Sequence, residues 1–129
     1  RNRKVETARE REDWTPREFG DADADTLVVT WGSNEGALAA AVEFLDEDGI
    51  DVRVLSVPYV FPRPDLSEDV AAAERTVVVE CNERGQFADL VEHDVLERVD
   101  RVNKYNGVRF KADELAAEIK STLAEGVEA

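Results

Sequence analysis

The sequence holds no methionine, one cysteine (Cys81), one histidine (His93) and only 4 lysines in 129 residues. A lone cysteine excludes an internal disulfide and fits a reducing, cytoplasmic interior. One histidine and one cysteine offer no ligand spacing for zinc, so no metal site is expected. No apolar run approaches the ~20 residues that cross a bilayer, and the polar start Arg1-Asn2-Arg3-Lys4 is no signal peptide. With no methionine even at residue 1, the chain is expected to be a piece of a longer protein.

What is abundant is negative charge. Thirty acidic residues stand against 16 basic ones, a formal net charge of −14. That balance repels phosphate backbones and anionic lipid, which disfavours nucleic-acid and membrane-surface partners. The hydrophobic fraction of 43% is ordinary for a globular protein, and the length suits a single domain. The make-up is unusual in detail: 13 Asp, 17 Glu, 12 Arg, 18 Val and 16 Ala, with 2 Ile. Acid-rich, lysine-poor, Val- and Ala-heavy chains resemble proteins of salt-loving archaea. In them high salt screens the mutual repulsion of surface carboxylates.

Residues 1–25 differ from the rest. Arg1, Arg3, Lys4, Arg9 and Arg11 alternate with Glu6, Glu10 and Glu12, which suits an exposed helix with opposite charges at i, i+3 or i+4. Pro16 and Gly20 end it, and Asp21 to Asp25 read as a connector. This stretch is therefore expected to be a linker or N-terminal helix from a preceding domain. Residues 26–125 are expected to form the folded unit, with 126–129 as a tail.

From Leu27 onward the pattern is regular. Leu27 to Trp31, Val52 to Val57 and Thr76 to Glu80 read as buried strands, and Val99 to Val102 as a weaker fourth. Helical spacing appears at Leu38, Ala41, Val42 and Leu45, with Gly49 as the stop. Ser67 is expected to cap a short helix over Val70 to Ala73. Phe87, Leu90, Val91 and Val95 mark a further helix, and Leu115, Ile119 and Leu123 a last one. Strands and helices in alternation, with apolar strands, predict an α/β fold: a three-layer α/β/α sandwich around a mostly parallel sheet.

Functional loops of such sheets lie beyond the carboxyl ends of the strands. The loop Gly32-Ser33-Asn34-Glu35-Gly36 can be a tight turn with a helix cap, or an anion site at a helix start. Its glycine spacing matches neither the dinucleotide fingerprint nor the Walker loop. The loop Glu80-Cys81-Asn82-Glu83-Arg84-Gly85-Gln86 can be a solvated cap or a polar contact surface. Cys81 as a nucleophile would need a base, and His93 lies two helical turns further on, beside Glu92 and Asp94. No serine sits in a nucleophile-elbow pattern, and no carboxylate pair stands out as acid and base. Catalytic, cofactor-binding and metal residues are thus not expected in this chain.

The order of the segments resembles a known family. Leu27 to Ser33, then Gly49-Ile50-Asp51-Val52-Arg53-Val54-Leu55 and Tyr59-Val60-Phe61-Pro62, is similar to the C-terminal domain of transketolase-like thiamine-diphosphate enzymes. Val79-Glu80-Cys81-Asn82-Glu83-Arg84-Gly85-Gln86, Asn103-Lys104-Tyr105-Asn106-Gly107 and the basic start resemble the alpha subunit of 2-oxoacid:ferredoxin oxidoreductases, the 2-oxoglutarate type in particular. The resemblance spans residues 1 to 123. It implies a non-catalytic assembly domain of an enzyme that turns a 2-oxoacid, coenzyme A and oxidised ferredoxin into acyl-coenzyme A, CO2 and reduced ferredoxin. Thiamine diphosphate, Mg²⁺ and an iron–sulfur cluster would sit outside this chain, in the preceding domain and the beta subunit. Gly32, Ser33, Asn34, Glu80, Asn82, Gly85, Gln86, Lys104, Tyr105 and Gly107 are the contacts it suggests to that domain or subunit.

Two other readings remain: a stand-alone flavodoxin-like module binding a small anion or nucleotide, and the matching domain of a transketolase or 2-oxoacid dehydrogenase beta subunit. The composition itself generates a test. The chain is expected to lose folded structure at about 0.1 M KCl and keep it at about 3 M, because screening of carboxylate repulsion shortens with salt. Circular-dichroism melts that coincide in the two salts would refute salt adaptation.

Overall fold

A computed structural model describes residues 16–31, 35–57, 65–80, 86–95, 98–103 and 111–128. The elements in chain order are β1 (Arg17–Gly20), β2 (Thr26–Trp31), α1 (Glu35–Glu47), β3 (Val52–Val57) and α2 (Ser67–Ala72). Then follow β4 (Arg75–Glu80), α3 (Gln86–Val95), β5 (Asp100–Asn103) and α4 (Ala112–Glu128). The five strands form one sheet in the order β1-β3-β2-β4-β5. β3, β2, β4 and β5 run parallel, and β1 pairs antiparallel with β3 at one edge.

Alternation along the strands explains the layers, because successive side chains point to opposite faces. Val28, Val52, Val54, Val77, Val79 and Val102 join Leu38, Ala41 and Leu45 of α1 and Leu115, Ala116 and Ile119 of α4. On the other face Leu27, Val29, Leu55, Val57 and Val78 meet Val70 of α2 and Phe87, Ala88 and Val91 of α3. A strand buried on both sides cannot alternate polar and apolar, so β2 and β4 read as continuous runs of Val, Leu and Thr. The predicted α/β/α sandwich is the observed fold.

Loop chemistry fixes the ends. Gly49 has φ 77°, and the Ile50 N–H donates to the Leu45 carbonyl at 2.8 Å, a Schellman stop for α1. Gly20 has φ 83°, and a Cβ there would run into the carbonyl oxygen of Val52. The Asp21 N–H donates to that same carbonyl at 2.8 Å. The Asp21 carboxylate then accepts from the Asp23 N–H at 2.9 Å, turning the chain into β2.

Three expectations need revision. Within the stretch read as a linker, Arg17–Gly20 is a strand of the sheet. Its four residues carry one apolar side chain, Phe19, too few for a periodic signal; pairing with β3 supplies what its own sequence does not. Ser67 is the first helical residue of α2 rather than its cap, and the Asp65 carboxylate accepts the Ser67 N–H at 2.9 Å. α4 continues to Glu128, through the stretch read as a tail. The expected helix over the first dozen residues lies outside the described residues.

Arginine forks tie the layers together. Arg53 on β3 donates from Nε and an Nη to the two carboxylate oxygens of Glu18 on β1, at 3.0 and 3.3 Å, and to Asp69 on α2 at 2.9 Å. Arg75 on β4 holds Asp100 on β5 and donates to the Leu123 and Thr122 carbonyls of α4 at 2.8 and 3.2 Å. Arg101 on β5 reaches Asp89 and Glu92 of α3 at 2.9 and 2.7 Å. A planar, always-charged fork suits such two-partner geometry better than an ammonium.

The hydrogen bonds from Arg53 hold the Glu18 carboxyl below its ordinary value. A lowered folded-state value means that the pair stabilises the fold above the ordinary carboxylate range. That contribution fades as pH falls through the lowered midpoint. Because Glu18 is largely solvent-exposed, Glu18→Gln is expected to cost only about 0.5 kcal/mol at neutral pH, and nothing once Glu18 is protonated. Urea titrations at neutral and acid pH check this; a loss that persists unchanged in acid would locate the effect elsewhere.

Candidate functional site

The carboxyl ends of the parallel strands put four residues in a row. Register pairs Trp31 of β2 with Val57 of β3, and Glu80 of β4 with Asn103 of β5, while Thr30 pairs with Val79 between them. Strand alternation turns this row toward the face covered by α2 and α3. Val57 belongs to that core cluster, and Arg101, two residues before Asn103, reaches α3 from the same face.

Glu80 is the centre of the row. It ends β4 directly after three valines, and it is only 1% exposed. One carboxylate oxygen accepts the N–H of Phe87 and the other the N–H of Ala88, each at 3.0 Å. These belong to the first turn of α3, whose opening N–H groups have no partner inside the helix. A cap usually comes from the residue just before a helix. Here the longer Glu side chain does the same from the end of the preceding strand. The carboxylate fills the place where an anionic ligand would bind a helix start, and both its oxygens are committed.

Around it the edge is mixed. The Trp31 ring lies 6.1 Å from that of Phe87 at a tilt of 51°, and Trp31 remains 38% exposed. The Thr30 hydroxyl donates to the Val79 carbonyl at 2.9 Å, binding β2 to β4 one step inside the row. Asn103 Oδ1 is buried and, among the described residues, finds no hydrogen-bond donor. His93 lies on the outer side of α3 with its side chain 85% exposed, 3.7 Å from Asp94. That places it in solvent, as its acidic neighbours suggest.

Of the predicted contacts, Glu80 is placed with its side chain, pointing inward: it holds the edge instead of presenting itself to a partner. Gln86 opens α3. Gly32, Ser33, Asn34, Asn82, Gly85, Lys104, Tyr105 and Gly107 lie outside the described residues, as does Cys81. Two residues of the row, Trp31 and Asn103, were not singled out as contacts. The available signal was a large aromatic at the last position of a buried strand, directly before glycine. Two clefts, of 470 and 360 Å³, lie at the opposite, amino-terminal ends of the strands. Asp21, Glu43, Asp46, Glu47 and Asp51 rim the larger one.

Several known proteins are similar to this chain in sequence or fold. The chain is 30% identical over 112 residues to 2-oxoacid:ferredoxin oxidoreductase 2, subunit alpha, of Aeropyrum pernix, covering 84% of this chain and 17% of that subunit. The similarity is to one segment of that alpha subunit. The chain thus spans only about a sixth of the length of that relative. The 2-oxoglutarate:ferredoxin oxidoreductase of Magnetococcus marinus, solved with 2-oxoglutarate, coenzyme A and succinyl-CoA bound, superposes with a TM-score of 0.78 at 20% identity. The match covers 92% of this chain and 21% of that one. The alpha chain of a probable 2-oxoacid ferredoxin oxidoreductase from Thermoplasma acidophilum has a TM-score of 0.56 at 26% identity. There the match covers 84% of this chain and 97% of that one, so an alpha chain of this size also occurs in a solved structure. A transketolase from Pichia stipitis shares the fold at a TM-score of 0.59 and 15% identity, over 86% of this chain and 18% of that one. No family model matches the sequence.

The Glu80 geometry makes a direct prediction. Glu80→Ala leaves two N–H groups at the buried end of α3 without acceptors and is expected to cost about 2–3 kcal/mol. Glu80→Gln keeps one acceptor but turns an amide NH2 toward the second N–H, and should cost about 1–2 kcal/mol. Guanidinium unfolding of both variants in high salt checks the order; a neutral Glu80→Ala would refute the cap.

Proposed function

We propose that this chain is a non-catalytic assembly domain of a thiamine-diphosphate-dependent 2-oxoacid:ferredoxin oxidoreductase, acting within its alpha subunit. The observation that supports this most is the similarity to alpha subunits over 84% of the chain, matched by the same fold in a solved 2-oxoglutarate enzyme. The holoenzyme would convert a 2-oxoacid and coenzyme A to acyl-coenzyme A and CO2, passing electrons to ferredoxin. We assign it to the 2-oxoglutarate type, and to the cytoplasm of a salt-adapted archaeon on the acid-rich composition. Among the described residues, no helix is long and apolar enough to cross a membrane.

In this reading thiamine diphosphate, Mg²⁺ and the iron–sulfur cluster belong to the preceding domain and the beta subunit. This chain contributes a rigid sheet whose functional edge holds itself together. At the β4–α3 junction, a place where sheets of this layout commonly seat an anion, the chain's own carboxylate takes the position. Such an edge favours protein contact over ligand turnover.

Affinity-tagging the chain in its source organism and purifying in high salt tests the proposal. The purified material is expected to contain a beta subunit and to reduce ferredoxin only when 2-oxoglutarate and coenzyme A are both supplied. The isolated chain should show no such activity. Recovery of the chain without that activity would overturn the assignment.

A further inference from the structure

We infer that β1 is a strap: it opens from the edge of the sheet without the rest of the fold, and salt loosens it while the other strands hold. The two edges of the sheet are fastened by different means. β5 carries Val102, buried in the core, and its Asp100 is held by Arg75, which also grips two carbonyls of α4. Losing β5 opens the core and strands that fork. β1 has no fully buried residue; Phe19 alone is half-buried, at the margin of the same core. Beyond its ladder with β3, the side-chain ties of β1 are two surface ion pairs, each at 3.0 Å: Glu18 with Arg53, and Arg17 with Glu35 at the start of α1.

Opening leaves no charge stranded. Arg53 keeps Asp69 on α2 at 2.9 Å, and β3 keeps its other edge on β2. Glu18 and Arg17, already exposed, return to water, and Glu35 stays at the start of α1, where a carboxylate is favoured. An element that buries little apolar surface opens at a low free energy, apart from the global unfolding of the core strands. The hinge is marked as well. Gly20 has φ 83°, and just beyond it the Asp21 N–H holds the Val52 carbonyl, so release stops there. Arg17 lies opposite Ser56, and Gly20 opposite Arg53. Opening therefore moves the point where the preceding chain leaves the sheet by about 10 Å, three strand steps. Salt acts on the two parts with opposite sign. It screens the attraction in the exposed pairs that fasten β1, and it screens the carboxylate repulsion that opposes the body of the fold.

Hydrogen exchange with mass-spectrometric readout tests the strap on the full, unmodified chain. In urea well below the unfolding midpoint, the amides of Arg17–Gly20 are expected to exchange about tenfold faster than those of β2, β4 and β5, at a rate that urea hardly changes. Between about 0.5 M and 3 M KCl their protection should fall about twofold, while that of β2 and β4 does not fall. With Arg17→Gln and Glu18→Gln combined, the fall with salt should vanish, and the protection of β2 and β4 in that variant reports that it is folded. Exchange of β1 in step with β2 and β4 in the unmodified chain overturns the inference. A salt-dependent fall that survives undiminished in the folded double variant overturns it too.

Discussion

The two hydrogen bonds from Glu80 to the start of α3 set the geometry of the whole carboxyl edge. A carboxylate is costly to bury unless both oxygens are satisfied, and here backbone N–H groups satisfy them at 3.0 Å each. The contact is therefore demanding in position. The last residue of β4 and the first turn of α3 must meet at one distance and one angle. Once they do, Phe87 and Ala88 are set into the core beneath the edge, and the Trp31 ring has a fixed surface to lie on. The hydroxyl of Thr30, bonded to the carbonyl just before Glu80, locks β2 to the same register. The edge is thus one connected object built from β2, β4 and α3.

Away from that edge, the acidity of the chain is partly structural. Glu18, Asp69, Asp89, Glu92 and Asp100 all engage arginines that anchor strands to their neighbours. The bias of 12 Arg over 4 Lys is consistent with this use. A guanidinium can serve a carboxylate and a helix carbonyl together, as Arg75 does for Asp100 and the last turns of α4. Other carboxylates, such as those at the cleft beside α1, stand close together at the surface. Their mutual repulsion, which salt weakens, works against the same compact state that the arginine forks support.

Most of the architecture was legible because it rests on periodicity. Continuous apolar strands between helices of 3.6 period leave little choice beyond a parallel sheet covered on both faces. What escaped depends on tertiary partners. β1 is a strand because β3 offers an edge, Arg53 a fork and Val52 a carbonyl for the chain beyond Gly20; nothing within Arg17–Gly20 announces it. Local capping is the common pattern, so the sequence points to the loop next to α3 for its cap. The residue that supplies it lies six positions before Gln86, across a loop. Glu80 reads in sequence as a surface contact, because a charged residue after three valines looks like the point where a strand reaches water. Burial that depends on a hydrogen bond from a distant segment leaves no such trace in sequence.

That inversion bears on what the domain is for. A doubly wound sheet usually leaves its helix starts free, and the free N–H groups become the site at which phosphates or carboxylates are held. Filling such a position with an internal carboxylate trades ligand capacity for rigidity. A rigid edge is of use when the chemistry happens elsewhere and must be held in register by contacts with little freedom to shift. The similarity to segments of much longer oxidoreductase subunits supplies that context. The carboxyl edge supplies the rigidity: Glu80 is satisfied from within at both oxygens, and Phe87, set by the same contact, fixes the Trp31 ring beside it.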